Sequence, residues 1–102
     1  MRIFILLILL NLFTLDATRV SAQVNTQDSL ALVDLYNNTN GAAWAKHTNW
    51  LTTQPVSTWF GVILSGDRVV QINLPNNNLK GSLPVSIGNL NALQVLNFFI
   101  TS

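Results

Sequence analysis

The sequence predicts the opening of an α/β solenoid: a helical, tryptophan-rich N-terminal cap, a β-hairpin, and one to one-and-a-half repeats. Three observations predict it. The pattern beginning at Val69 returns 24 residues later, aligning Val69, Ile72, Asn73 and Leu74 with Leu93, Leu96, Asn97 and Phe98, and a fixed period of this size marks stacked repeats. Two β-branched runs, Val62-Ile63-Leu64 and Val69-Val70-Gln71-Ile72, flank a turn containing Gly66, which is a hairpin signal. Upstream, an apolar stripe at helical spacing precedes three tryptophans within 16 residues, Trp44 to Trp59.

The chain has 102 residues and no cysteine. Its apolar weight gathers at the start, where Met1-Arg2 leads into Ile3 to Leu10 and the stretch closes on Val20-Ser21-Ala22. One positive residue, an apolar core and small residues at the end describe a secretory signal peptide over residues 1–22. A spanning helix needs about 20 apolar residues, and Asn11, Thr14 and Asp16 interrupt this run. An uncleaved signal anchor is the alternative. Cleavage after Ala22 leaves Lys46, Arg68 and Lys80 against Asp28, Asp34 and Asp67, so the exported chain is neutral. With no basic run, nucleic-acid binding is excluded.

Residues 23–68 form the expected cap. Asn25 or Thr26 can cap a helix over residues 25–38, and Asp28 suits its positive end. Leu32, Val33, Leu35 and Tyr36 supply its apolar stripe, and Asn37 to Gly41 should end it. Trp44, Trp50 and Trp59 should pack together under this helix, since each buries over about 150 Å². A four-residue loop, Ser65 to Arg68, should join the hairpin strands.

Residues 69–92 are the first repeat and residues 93–102 an incomplete second one. Ile72 and Leu74 flank Asn73, so alternation on a short strand turns both inward and Asn73 outward. Asn77 falls where the strand bends away, and its amide can satisfy backbone groups left unpaired there. Gly81 permits the next bend and Pro84 stiffens the descent. Leu79, Leu83, Ile87 and Leu90 should return to the core, while Phe99 and Ile100 should lie exposed.

The segment Val69 to Leu90 reads V-x-x-I-x-L-x-x-N-x-L-x-G-x-L-P-x-x-I-G-x-L, and this resembles the plant-type leucine-rich repeat. Trp59, Gly61 and Val62 resemble the C-x-W-x-G-V-x-C phrase of that family's cap, with Ser57 and Leu64 standing where the cysteines would be. The resemblance covers residues 28–98. Its cysteine-free cap is similar to those of exported bacterial repeat proteins.

Catalytic constellations are scarce. His47 is the only histidine and sits near no nucleophile motif. Asp28 and Asp34 lie six apart and point to different faces, and Asp67 reads as a turn residue. No metal or cofactor motif exists. Repeat proteins instead present a concave sheet, here Gln71, Asn73 and Pro75 beside Val95, Asn97 and Phe99. The resemblance therefore implies a non-enzymatic module, secreted or at the cell surface, that binds an extracellular protein or glycan and has no membrane span once the signal is removed. The alternatives are the cap of a larger exported receptor or enzyme, and a non-functional truncation product.

Overall fold

The computed structural model describes residues 24–101; the signal peptide expected over residues 1–22 lies outside them. Helix α1 spans Thr26–Asn38. Of the two possible caps the fold uses Asn25, whose Oδ1 accepts from the amides of Gln27 at 2.9 Å and Asp28 at 3.2 Å. Those are amides that a helix cannot satisfy internally. Ala31, Leu32 and Leu35 are fully buried, while Val33 and Tyr36 are half-buried. The helix stops at Thr39, whose amide still reaches the Leu35 carbonyl, and Asn40 turns the chain with a left-handed φ of 57°.

The tryptophan loop packs as a chain of rings. Trp44 meets Trp50 edge-on at 4.9 Å, Trp50 leans on Trp59 at 5.2 Å, and Tyr36 of α1 meets Trp44 at 5.3 Å. A buried indole N–H needs an acceptor. Each finds a carbonyl: Trp44 donates to Thr39, Trp50 to Phe60 and Trp59 to Gln54, at 3.0, 2.9 and 3.1 Å.

Strands β1 (Val62–Ser65) and β2 (Arg68–Asn73) pair antiparallel, and β4 (Val95–Asn97) joins β2 in parallel. The parallel register is Gln71 to Val95, Ile72 to Leu96 and Asn73 to Asn97, the same 24-residue offset found in the sequence. A second pair, β3 (Leu79–Lys80) and β5 (Ile100–Thr101), is also parallel. Between them, residues Val85–Asn89 form a short 3₁₀ segment against α1. Val69, Ile72, Leu74, Leu79 and Leu90 meet the helix and tryptophans in one core.

Several expectations are corrected. Ser65 and Arg68 pair with each other, so the hairpin loop is Gly66-Asp67 alone, with a register shift at Ile63/Leu64. A two-residue loop with Gly at its first position follows the strand twist more closely than a longer one. Leu83 does not return to the core; it is 47% exposed, and the buried residue at that bend is Pro84. Ile87 is half-buried. Ile100 is half-buried rather than exposed, because its strand pairs with β3.

Asn77, 4% exposed, bonds the cap rather than its own loop. Its Oδ1 accepts from the Lys46 amide at 2.7 Å and its Nδ2 donates to the Lys46 carbonyl at 2.8 Å. The Ala45 amide reaches the Asn77 carbonyl, and the Lys80 and Ser82 amides reach the Thr39 and Asn38 carbonyls. Cap and repeat are thus joined by a polar seam over an apolar core. Gly81 belongs to it: its φ is +127°, and a Cβ there would collide with the Asn38 carbonyl oxygen. Gly81→Ala is expected to destabilise by more than about 1 kcal/mol, the usual cost of a side chain in left-handed backbone. The midpoint of a urea titration followed by tryptophan fluorescence checks it.

Candidate functional site

The strand face is built from alternation. In β2 Ile72 and Leu74 are fully buried and face the core, and Val69 reaches the same core because the register shift opposite Ile63/Leu64 leaves Val70 as an extra residue. Gln71 and Asn73 alternate with Ile72 and Leu74 and turn to the other face, and parallel pairing sets each beside its equivalent one repeat on. Gln71 lies beside Val95 and Asn73 beside Asn97. Gln71 is half-buried, and Asn73 and Asn97 are exposed. Val95 is 41% exposed.

The two asparagines are in contact: Asn97 Nδ2 donates to Asn73 Oδ1 at 2.7 Å. One donor and one acceptor are spent in that bond, and among the described residues the Asn73 Nδ2 and the Asn97 Oδ1 make no hydrogen bond of their own. An amide ladder of this kind carries hydrogen-bonding capacity without the desolvation cost of a charge.

Pro75 and Phe99 lie just beyond the paired residues of β2 and β4. Pro75 is exposed in the turn after β2, and Phe99 is 79% exposed beyond β4. The sequence reading missed Ile63, which pairs with Gln71 from β1 and is 48% exposed. Ile63, Gln71 and Val95 form a row across three strands, an apolar shoulder beside the amide ladder. The hairpin pattern carried that signal, because Ile63 lies between Val62, which is buried, and Leu64, which is half-buried.

A buried ion pair positions this face. Asp28 on α1 is fully buried. Its Oδ2 accepts from Arg68 Nε at 2.9 Å and from the Val69 amide at 2.8 Å, and its Oδ1 accepts from Arg68 Nη2 at 2.9 Å. The bidentate fork and the backbone bond lock the start of β2 to the helix. Burial alone would raise the Asp28 carboxyl pKa; the bonds from Arg68 and Val69, with the charge of Arg68, outweigh it and hold the pKa below its ordinary value. The same partner raises that of Arg68. At the turn, the Asp67 carbonyl accepts from the Asn25 amide at 2.7 Å, so both hairpin and helix cap are tied together. Neither role of Asp28 nor that of Arg68 was visible from spacing, because the two are 40 residues apart.

With this geometry in view, the chain compares with two proteins of Arabidopsis thaliana. It is 46% identical over 50 residues to a probable leucine-rich repeat receptor-like protein kinase, covering 47% of this chain and 5% of that protein. It is 38% identical over 81 residues to a probable inactive leucine-rich repeat receptor-like protein kinase, covering 76% of this chain and 12% of that protein. No family model and no solved structure matches. The chain therefore has a leucine-rich-repeat relationship, and it spans only a small fraction of these relatives' length. Among the described residues, no helix is long and apolar enough to cross a membrane.

Proposed function

We propose that this chain is an exported, non-enzymatic binding module, the opening of a leucine-rich-repeat solenoid. It recognises an extracellular protein or carbohydrate through the strand face of Gln71, Asn73, Pro75, Val95, Asn97 and Phe99. The observation that carries this reading is the amide ladder across strands paired at the repeat offset, with Asn97 donating to Asn73 at 2.7 Å. The core behind it is fully closed at Ile72 and Leu74, so the exposed amides stand on rigid backbone, which reduces the ordering cost of binding. The leucine-rich-repeat relationship supports the same role.

Two short strands offer less than the roughly 800 Å² per partner of a standard interface, so binding by this face alone is expected to be weak and fast. The test is a panel of extracellular oligosaccharides and secreted proteins read against the chain and its Asn73→Arg/Asn97→Arg variant. Arginine at these exposed positions blocks the face and leaves the core untouched. A partner lost in the variant supports the reading; partners that bind both forms equally overturn it.

One observation favours a second reading, the cap of a larger exported receptor or enzyme. Leu96 is 40% exposed although its equivalent Ile72 is fully buried, and Leu93 and Phe98 are only half-buried where Val69 and Leu74 are closed. A further turn of repeat against β4 would cover them. Addition of such a turn is expected to raise the melting temperature under this reading and to leave it unchanged under the first.

A further inference from the structure

The three-stranded sheet has two edges that differ in what lies beside them. The 3₁₀ segment Val56–Thr58 packs against β1, and the Val62 amide donates to the Trp59 carbonyl, so chain preceding the hairpin flanks that edge. On the other side β4 pairs with β2, and among the described residues no strand lies beyond it. The backbone groups that β4 directs outward are left to solvent.

Folded chains guard such an edge with lysine or another charge, with proline, or with a bulge. Residues 94–101 contain no charge, proline or glycine, and no charged residue occurs from Gly81 to Thr101. The register between β2 and β4 runs without a shift. The side chains along this margin are apolar: Leu96 and Phe99 are exposed, and Leu93 and Phe98 are half-buried. An uncharged apolar margin of this kind marks a site of association.

A second copy of the chain fits it on two counts. Among the described residues Lys46, Arg68 and Lys80 balance Asp28, Asp34 and Asp67. None of the six lies on the margin, so like copies meet there without repulsion and a charged partner gains nothing. A free strand edge is also completed by another strand, and a two-fold axis lets one edge complete its own copy in a closed contact. Leu96 is the middle residue of β4, so antiparallel pairing about it uses the whole strand in both copies.

We propose that β4 is the contact of a symmetric dimer of this chain, in which two β4 strands pair antiparallel about Leu96 and join the two three-stranded sheets into one. The axis crosses the sheet, so the rows of Ile63, Gln71 and Val95 from both copies lie on the same side. One copy offers less than the roughly 800 Å² of a standard interface, and the joined sheet doubles its area. That consequence rests on the strand-face reading above; the dimer itself does not. The contact is short, and its dissociation constant is expected at about 10–100 μM.

The experiment is sedimentation equilibrium of the chain without ligand, from about 5 μM to about 1 mM. A monomer–dimer equilibrium is expected, with concentration-dependent NMR shifts at Val95 to Asn97. Leu96→Lys sets two ammonium groups against each other across the axis and removes an apolar contact from each copy. It is expected to weaken the dimer about tenfold or more, and Leu96→Glu to do the same. An equal mixture of the two variants is expected to restore the dimer, because the axis places position 96 opposite itself. A thermal melt establishes that each variant is folded. A monomer at every concentration, the result if β4 seats a further repeat, overturns the proposal. So does growth past the dimer, or a mixture that stays monomeric. These masses are read without a ligand, so loss of the dimer and loss of strand-face binding are separate results.

Discussion

Trp50→Ala is expected to abolish cooperative folding. Trp50 is 3% exposed and touches Trp44, Trp59 and Tyr36 with its ring while its indole N–H holds the Phe60 carbonyl. Its loss removes the centre of the cluster that joins helix, loop and hairpin. Truncation of a buried aromatic costs about 3–5 kcal/mol, and the vacated Phe60 carbonyl adds to that. A core of this size supplies only about 3–5 kcal/mol in all. Near-ultraviolet circular dichroism during a thermal melt should show a transition in the native chain and none in the variant. A variant melting within a few degrees of the native chain would show that the tryptophans cover the core without holding it.

The second large effect is expected at Asp28. Asp28→Ala leaves the Val69 amide buried without an acceptor and removes the partner of Arg68. The guanidinium side chain is 28% exposed, so water relieves part of its loss, and the expected cost is about 2–4 kcal/mol. The same site sets an acid limit. Because the folded state holds the Asp28 carboxyl below its ordinary pKa, its contribution is complete above the unfolded value of about 3.9. It is lost as the pH falls below that, through the folded value. Urea midpoints should therefore drop as the pH falls below about 4 in the native chain, and the Asp28 share of that drop should vanish in Asp28→Ala. Equal drops in both would place the acid sensitivity elsewhere.

Much of the fold was legible because its signals are periodic. The helix stripe at Leu32, Leu35 and Tyr36 and the alternation about Asn73 both follow from local geometry, and the boundaries of α1 fell within a residue of those expected. The 24-residue offset even anticipated which residues pair between β2 and β4. What stayed hidden depends on contacts between distant segments. Asp28 reads equally well as a dipole-stabilising residue until Arg68 is brought to it by the hairpin turn. Asn77 has the expected chemistry, yet its partner Lys46 lies 31 residues upstream. Leu83 fits the repeat pattern, but the bend at that point buries Pro84 in its place. On the strand face, the outward rows were legible and Ile63 was not, since its neighbours depend on where the hairpin register shifts.

The central structural claim is that the second strand docks on the first and so creates a two-row face. The Gln94 amide donates to the Val70 carbonyl and the Leu74 amide to the Asn97 carbonyl, both at 2.8 Å, and these bonds exist only if β4 is in place. Native-state hydrogen exchange at Gln94 and Leu74 tests this directly. Protection approaching that of Val69 and Ile72 is the expected result. Exchange at the rate of an open chain at Gln94 and Leu74, with Val69 still protected, would mean that β4 is not docked and that the amide ladder does not form.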